Sequence, residues 1–143
     1  MTMKLTGLDG VLSGMDELTV ATRKNVARRV LKKGGQVFAD RANDLAPEGP
    51  TGQLKGSYTV GTKLNRSQRR SSHKPSPDVV RVYAGTNDPA GQQQEFGNIN
   101  HDAQPHARPA WDQTKGEVLD TILDGLRLEV GKAAARARRK AAR

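Results

Sequence analysis

Apolar residues recur three and four apart near the start of the chain, at Leu5, Leu8, Val11, Leu12, Met15 and Leu18. This spacing predicts one amphipathic helix over 5–18, weakened by Gly10 and Gly14. A longer helix is expected over roughly 20–45, where Val26, Val30, Val37, Phe38, Ala42 and Leu45 form a stripe. Arg23, Lys24, Arg28 and Arg29 occupy its other faces. Gly34 and Gly35 interrupt that stripe and cost about 1 kcal/mol each relative to alanine. Either the helix kinks there or another backbone comes close. Pro47 and Gly49-Pro50 end it.

The period then changes. Residues 58–61 (YTVG) are strand-like, and 78–85 (DVVRVYAG) alternate in the manner of a second strand. Between them, residues 62–77 read as a flexible basic loop with Arg66, Arg69, Arg70 and Lys74, rich in serine and proline and without periodicity. Residues 92–97 (QQQEFG) fit either a strand or a helical turn. Pro109 suits the first turn of a final helix, where a missing N–H costs nothing. From Trp111 the apolar face runs through Val118, Leu119, Ile122, Leu123, Leu126 and Val130, and Asp112 and Glu117 near its start suit the helix dipole. The chain ends KAAARARRKAAR, a tail that either extends this helix or frays from it. No internal repeat is present.

Composition sharpens this outline. The 143 residues suffice for one domain, read as 1–131, followed by the basic tail 132–143. The net charge is +9, and six of the positive charges lie in that tail without an acidic residue. Cysteine is absent, which excludes disulfides, thiolate metal sites and cysteine nucleophiles. No apolar run reaches the roughly 18–20 residues of a membrane span, and the first ten residues do not resemble a signal peptide. Aromatics are only 3% of residues. Such a lean core suits either a subunit stabilised by neighbours or a modest core of Leu, Val and Ala.

Candidate chemistry concentrates in EFGNINHDAQPHARPAW, residues 95–111. Glu95, His101 and His106 are the types that build a zinc or acid–base centre, and a metal-dependent hydrolase would use them. Their spacing is not that of HExxH, and Asn98, Asn100 and Pro105 oppose one helix through both histidines. Ser57, Ser71, Ser72 and Ser76 lie in no nucleophile elbow, and no phosphate-binding loop or cofactor motif is present. A stronger rival is a small, basic, non-sequence-specific DNA-binding protein. Its phosphate contacts would come from Arg66, Arg69, Arg70 and Lys74, or from Arg136, Arg138, Arg139 and Lys140 in the tail. Neither segment holds the aromatics of a stacking platform. The tail also lacks the Leu, Phe or Trp that would anchor it in a membrane surface.

Four motifs in order resemble the bacteriophage head–tail joining family, the tail-completion or neck proteins of long-tailed phages with HK97-like organisation. They are GLDGVLSGMDEL before a long basic helix; APEGPTGQLKGSYTV, near the pattern A-P-x-x-T-G-x-L-x-x-S; EFG; and QPHARPAW, similar to Q-P-F-x-R-P-A. The second is matched by Ala46, Pro47, Thr51, Gly52, Leu54 and Ser57, with one extra residue before Thr51. Glu95, Phe96 and Gly97 carry the third, where Asn98 replaces the usual threonine. Gln104, Pro105, Arg108, Pro109 and Ala110 carry the fourth, where His106 replaces an aromatic.

The resemblance spans about 5–130. It implies an α+β fold, with a long N-terminal helix and a C-terminal helix packed on a small antiparallel sheet bearing a long basic hairpin loop. It implies a virion structural protein at the head–tail junction, assembled in the host cytoplasm as a six-membered homo-oligomeric ring. Its partners would be a head-closure protein and a tail terminator or tail tube protein, with incidental contact to genomic DNA. It implies no enzymatic activity and no cofactor. Tail completion, tail termination and head closure remain open alternatives. On physical grounds Pro47 is expected to end the helix, Thr51 and Gly52 to shape a turn, Leu54 to anchor it and Phe96 to pack under the last helix, while Glu95 either pairs with Arg108 ahead of Pro109 or both are simply solvated.

Overall fold

A computed structural model describes residues 8–143, which form an α+β fold of five helices and one two-stranded antiparallel sheet. Helix α1 is Leu8–Asp16; Leu5, expected to open it, lies outside the described residues. Helix α2, Val20–Leu45, is capped by the Thr19 side chain, which accepts from the Thr22 N–H. It stops at Ala46, whose extended backbone (ψ 134°) is the conformation that Pro47 imposes on the residue before it.

Gly34 and Gly35 do not break α2. A Cβ on Gly34 would sit 2.6 Å from Ile122 Cγ1, and one on Gly35 would sit 3.1 Å from Val60 Cγ1. Close approach is therefore the reason for both: one glycine admits the last helix and the other admits the sheet. That last helix, α5, is Ala107–Ala141, and it starts four residues before Trp111. It lies antiparallel to α2, since Arg41 bonds Gln113 near one end and Arg29 bonds Glu129 near the other. Gly125 receives Val30 in the same crossing.

Strand β1, Thr59–Gly61, pairs with β2, Tyr83–Gly85, in the register Val60↔Ala84. The expected strand over 78–85 is thus limited to its last three residues. In that register residues 78–82 would face 62–66, where Asn65 caps a helix instead. At the other end the Asn43 side chain stops β1 short of Tyr58: its Oδ1 accepts from the Tyr58 N–H at 2.9 Å, and its Nδ2 donates to the Tyr58 carbonyl at 3.1 Å. Both backbone groups that would extend the ladder are already bound. The loop expected over 62–77 contains helix α3, Arg66–Ser71. Asn65 and Gln68 form a reciprocal capping box at its start, a spacing visible in the sequence that polar composition obscured. Residues 92–96 belong to a helix, α4, Pro89–Phe96, and Gly97 ends it.

The core is lean. Ala39, Ala42, Ala46, Leu54, Tyr58 and Ala110 form its main buried cluster, flanked by Phe38, Leu45, Val60 and Ala107. The largest fully buried side chains are His106 and Val30, so one of the two is polar.

Candidate functional site

Helix α4 exists to present Glu95. Asp88 caps it by accepting the Ala90 N–H at 2.9 Å, and Pro89 opens its first turn. Gly91 and Glu95, four apart, share its buried face. Gly97 terminates the helix at φ 74°, where a Cβ would meet the Ala103 nitrogen at 2.8 Å, so glycine is required on both counts. Asn98 then folds the chain back, its Oδ1 accepting the N–H of Asn100 at 2.7 Å and of His101 at 3.1 Å. This Asx turn is what asparagine supplies at that position.

The returning chain lays the start of α5 on Glu95. Carboxylate Oε2 accepts the His106 and Ala107 N–H groups, both at 2.8 Å. Oε1 accepts the Arg108 N–H at 3.1 Å and Arg108 Nε at 2.8 Å. Helix-initial N–H groups have no partner within their own helix and carry partial positive charge. His106, at the N-cap position, makes no side-chain cap bond. Glu95 caps α5 from another helix. Burial pushes the Glu95 carboxyl upward, but the His106 N–H, the Arg108 side chain and the N–H groups of Ala107 and Arg108 outweigh it and hold the pKa at about 2.

His106 seals the inner side. Its Nε2 lies 2.8 Å from the Tyr58 hydroxyl, and the two rings meet edge to face with centroids 5.5 Å apart. Nδ1 lies 3.3 Å from the Gln104 carbonyl, which can only accept. In the neutral ring Nδ1 therefore donates and Nε2 accepts from tyrosine. Burial and then the Glu95 charge raise Tyr58 to about 12. The imidazole thus packs as an aromatic would and adds one hydrogen bond. Tyr58 and Asn43 are the members of this joint that local sequence patterns did not expose.

Four donors on one carboxylate use its acceptor capacity, and a carboxyl held near 2 is far from the range of a general base at neutral pH. His101 turns away, with Nδ1 3.0 Å from the Asp102 carbonyl. Among the described residues no three His, Asp or Glu side chains gather to hold a metal: Glu95 and His106 meet, and His101 does not join them. No buried side-chain N or O among the described residues lacks a partner.

The remaining motif residues surround this joint. Leu54 is buried beside Gly91, and Ser57 Oγ bonds both the Leu54 carbonyl at 2.7 Å and Thr86 Oγ1 at 2.6 Å. Gly52 takes φ 62° in an exposed turn with Thr51. Pro105 is exposed, and Pro109 lies in the first turn of α5. Phe96 does not pack under α5. It is 65% exposed, one helical step from inward-facing Glu95, with the Arg108 guanidinium 5.0 Å from its ring centre. Ile99, in the returning loop, is 100% exposed.

The cations fall into two groups. Arg66, Arg69 and Arg70 lie exposed on α3, with Lys74 exposed just beyond it; Arg69, Lys74 and Lys63 line a cleft of about 580 Å³. Arg136, Arg138, Arg139 and Lys140 lie on the last turns of α5, which continues through the tail. No helix among the described residues is long and apolar enough to cross a membrane. No family model matches the chain, and no curated protein or solved structure matches it.

Proposed function

We propose that this chain is a phage neck subunit, joining a DNA-filled head to its tail through ring assembly and protein–protein contacts. The observation that carries this reading is the convergence of the motif segments on one saturated joint. From the second motif, Leu54 meets α4 at Gly91, Ser57 bonds Thr86 just ahead of α4, and Tyr58 bonds His106, which itself rests on Glu95. The Glu95 carboxylate spends its acceptors on the start of α5 and so fixes the direction of that helix. The same joint exposes Phe96 and Ile99, apolar surface of the kind contacts between subunits bury. A ring needs such surfaces to meet unlike surfaces on the next copy and to close.

The test is genetic and structural. Deleting the gene should leave filled heads and finished tails that do not join, and cryo-microscopy of intact particles should place the chain in a six-membered ring between them. Normal joined particles after deletion, or density for the chain elsewhere, would overturn the reading.

A further inference from the structure

The last turns of α5 do no packing work. Arg29, nine residues after the start of α2 at Val20, lies against Glu129, so α5 reaches the end of its partner about nine residues further on, near residue 138. Every residue from 135 onward is exposed, yet helix continues to Ala141. Arg136, Arg139, Lys140 and Arg143 recur at i, i+3, i+4 and i+7 and line one shallow concavity of about 250 Å³. They form a single ridge about 10 Å long, with Arg138 roughly 200° round the helix from Arg136. No acidic residue follows Glu129, and among the described residues none of the ridge cations is in an ion pair. Like charges at these spacings oppose the helix, and the dipole offsets this only in the final turn. No buried apolar surface compensates.

We infer that this ridge is a contact for the phosphate backbone of duplex DNA. A row of phosphates supplies the missing counter-charge at repeated spacing. The alanines between the cations keep the helix slim, and the major groove of B-form DNA, about 12 Å wide, admits it. The deep, narrow major groove of duplex RNA does not. The segment has no aromatic for stacking on single strands and no large apolar residue for a membrane surface. The inference is independent of ring assembly, so failure of the neck reading leaves it standing.

The test measures affinity of the full chain for a mixed-sequence duplex of about 20 base pairs across a salt series. Replacing all four ridge cations (R136A/R139A/K140A/R143A) should flatten the slope of log K against log salt by about 3–4. The fold should persist, because these side chains bury nothing. Removing the α3 group (R66A/R69A/R70A/K74A) should change the slope by less than about 1. An unchanged slope in the ridge variant, an equal loss in the α3 variant, or equally tight binding of polyglutamate would each overturn the assignment.

Discussion

Arg108 reaches Glu95 in three ways: Nε to Oε1 at 2.8 Å, its backbone N–H to the same oxygen at 3.1 Å, and Nη2 to the Glu95 carbonyl at 3.1 Å. The carboxylate is buried, while the Arg108 side chain is 61% exposed. Solvent therefore screens the guanidinium contact, which contributes on the order of 1 kcal/mol. The N–H contacts are shielded, and removing their acceptor strands three helix-initial donors. Glu95→Ala should cost about 3 kcal/mol in urea unfolding and Arg108→Ala about 1 kcal/mol. The double variant should cost less than the two together; strict additivity would argue against a coupled pair.

The same carboxylate sets the acid limit. Its pKa is about 2 in the fold, below the ordinary value of 4.5 that the unfolded chain retains. A depressed folded pKa adds stability that is fully present above the unfolded value and is lost as pH falls toward the folded one. The melting temperature should drop between pH 4.5 and 2, with about 3 kcal/mol lost from this group. Glu95→Gln should be less stable at neutral pH and flatten that part of the profile.

Tyr58 behaves oppositely. Its pKa is raised from 10.0 to about 12, so its contribution is complete below 10 and is lost as pH rises toward 12. Absorbance titration should show a tyrosine step near 12 that disappears in Tyr58→Phe. If the step survives, the phenol is not held in this joint.

Glycines in the two long helices should answer differently to alanine. At Gly34 the new methyl would meet Ile122 Cγ1 at 2.6 Å and Cδ1 at 2.9 Å, whereas Gly116 has nothing within 4 Å. Gly116→Ala should stabilise by about 1 kcal/mol through helix propensity. Gly34→Ala should destabilise by about 1–2 kcal/mol, because overpacking at the crossing exceeds that gain. Thermal melts of the two variants moving in the same direction would contradict the packing of α2 on α5.

Ile99 separates folding from assembly. A fully exposed side chain supports no core, so Ile99→Asp should leave the melting temperature of the isolated subunit within about 1 °C. If the returning loop is a subunit contact, the same change should reduce the oligomer seen by sedimentation or native mass spectrometry. Wild-type assembly by the variant would remove this loop from the interface.

The helical part of the fold was largely legible along the chain. The apolar period marked α2 and α5, and Pro47 marked where α2 stops. Asn65 and Gln68 carried a capping signal inside a segment whose composition suggested a loop. The short sheet was not legible, because one end is set by Asn43, fifteen residues from Tyr58 and on a different element, and the other by the helix that Asn65 caps. Phe96 was misjudged for a related reason. Its neighbour Glu95 takes the inward position that an apolar residue would ordinarily hold, and one helical step then turns Phe96 outward.

By itself the sequence determined where the long helices α2 and α5 run and where α2 stops, since those outcomes follow from periodicity, proline and caps acting within a few residues. It also determined the lean core and the concentration of charge at the C-terminus. The tertiary structure decided which polar residues became structural. Glu95, Tyr58 and His106 are acceptable inside only because each finds partners on distant segments, and a buried polar group is tolerated only when paired. Local spacing offered a carboxylate and two histidines. Long-range satisfaction spent the carboxylate and one imidazole on holding α5 in place and left His101 outside.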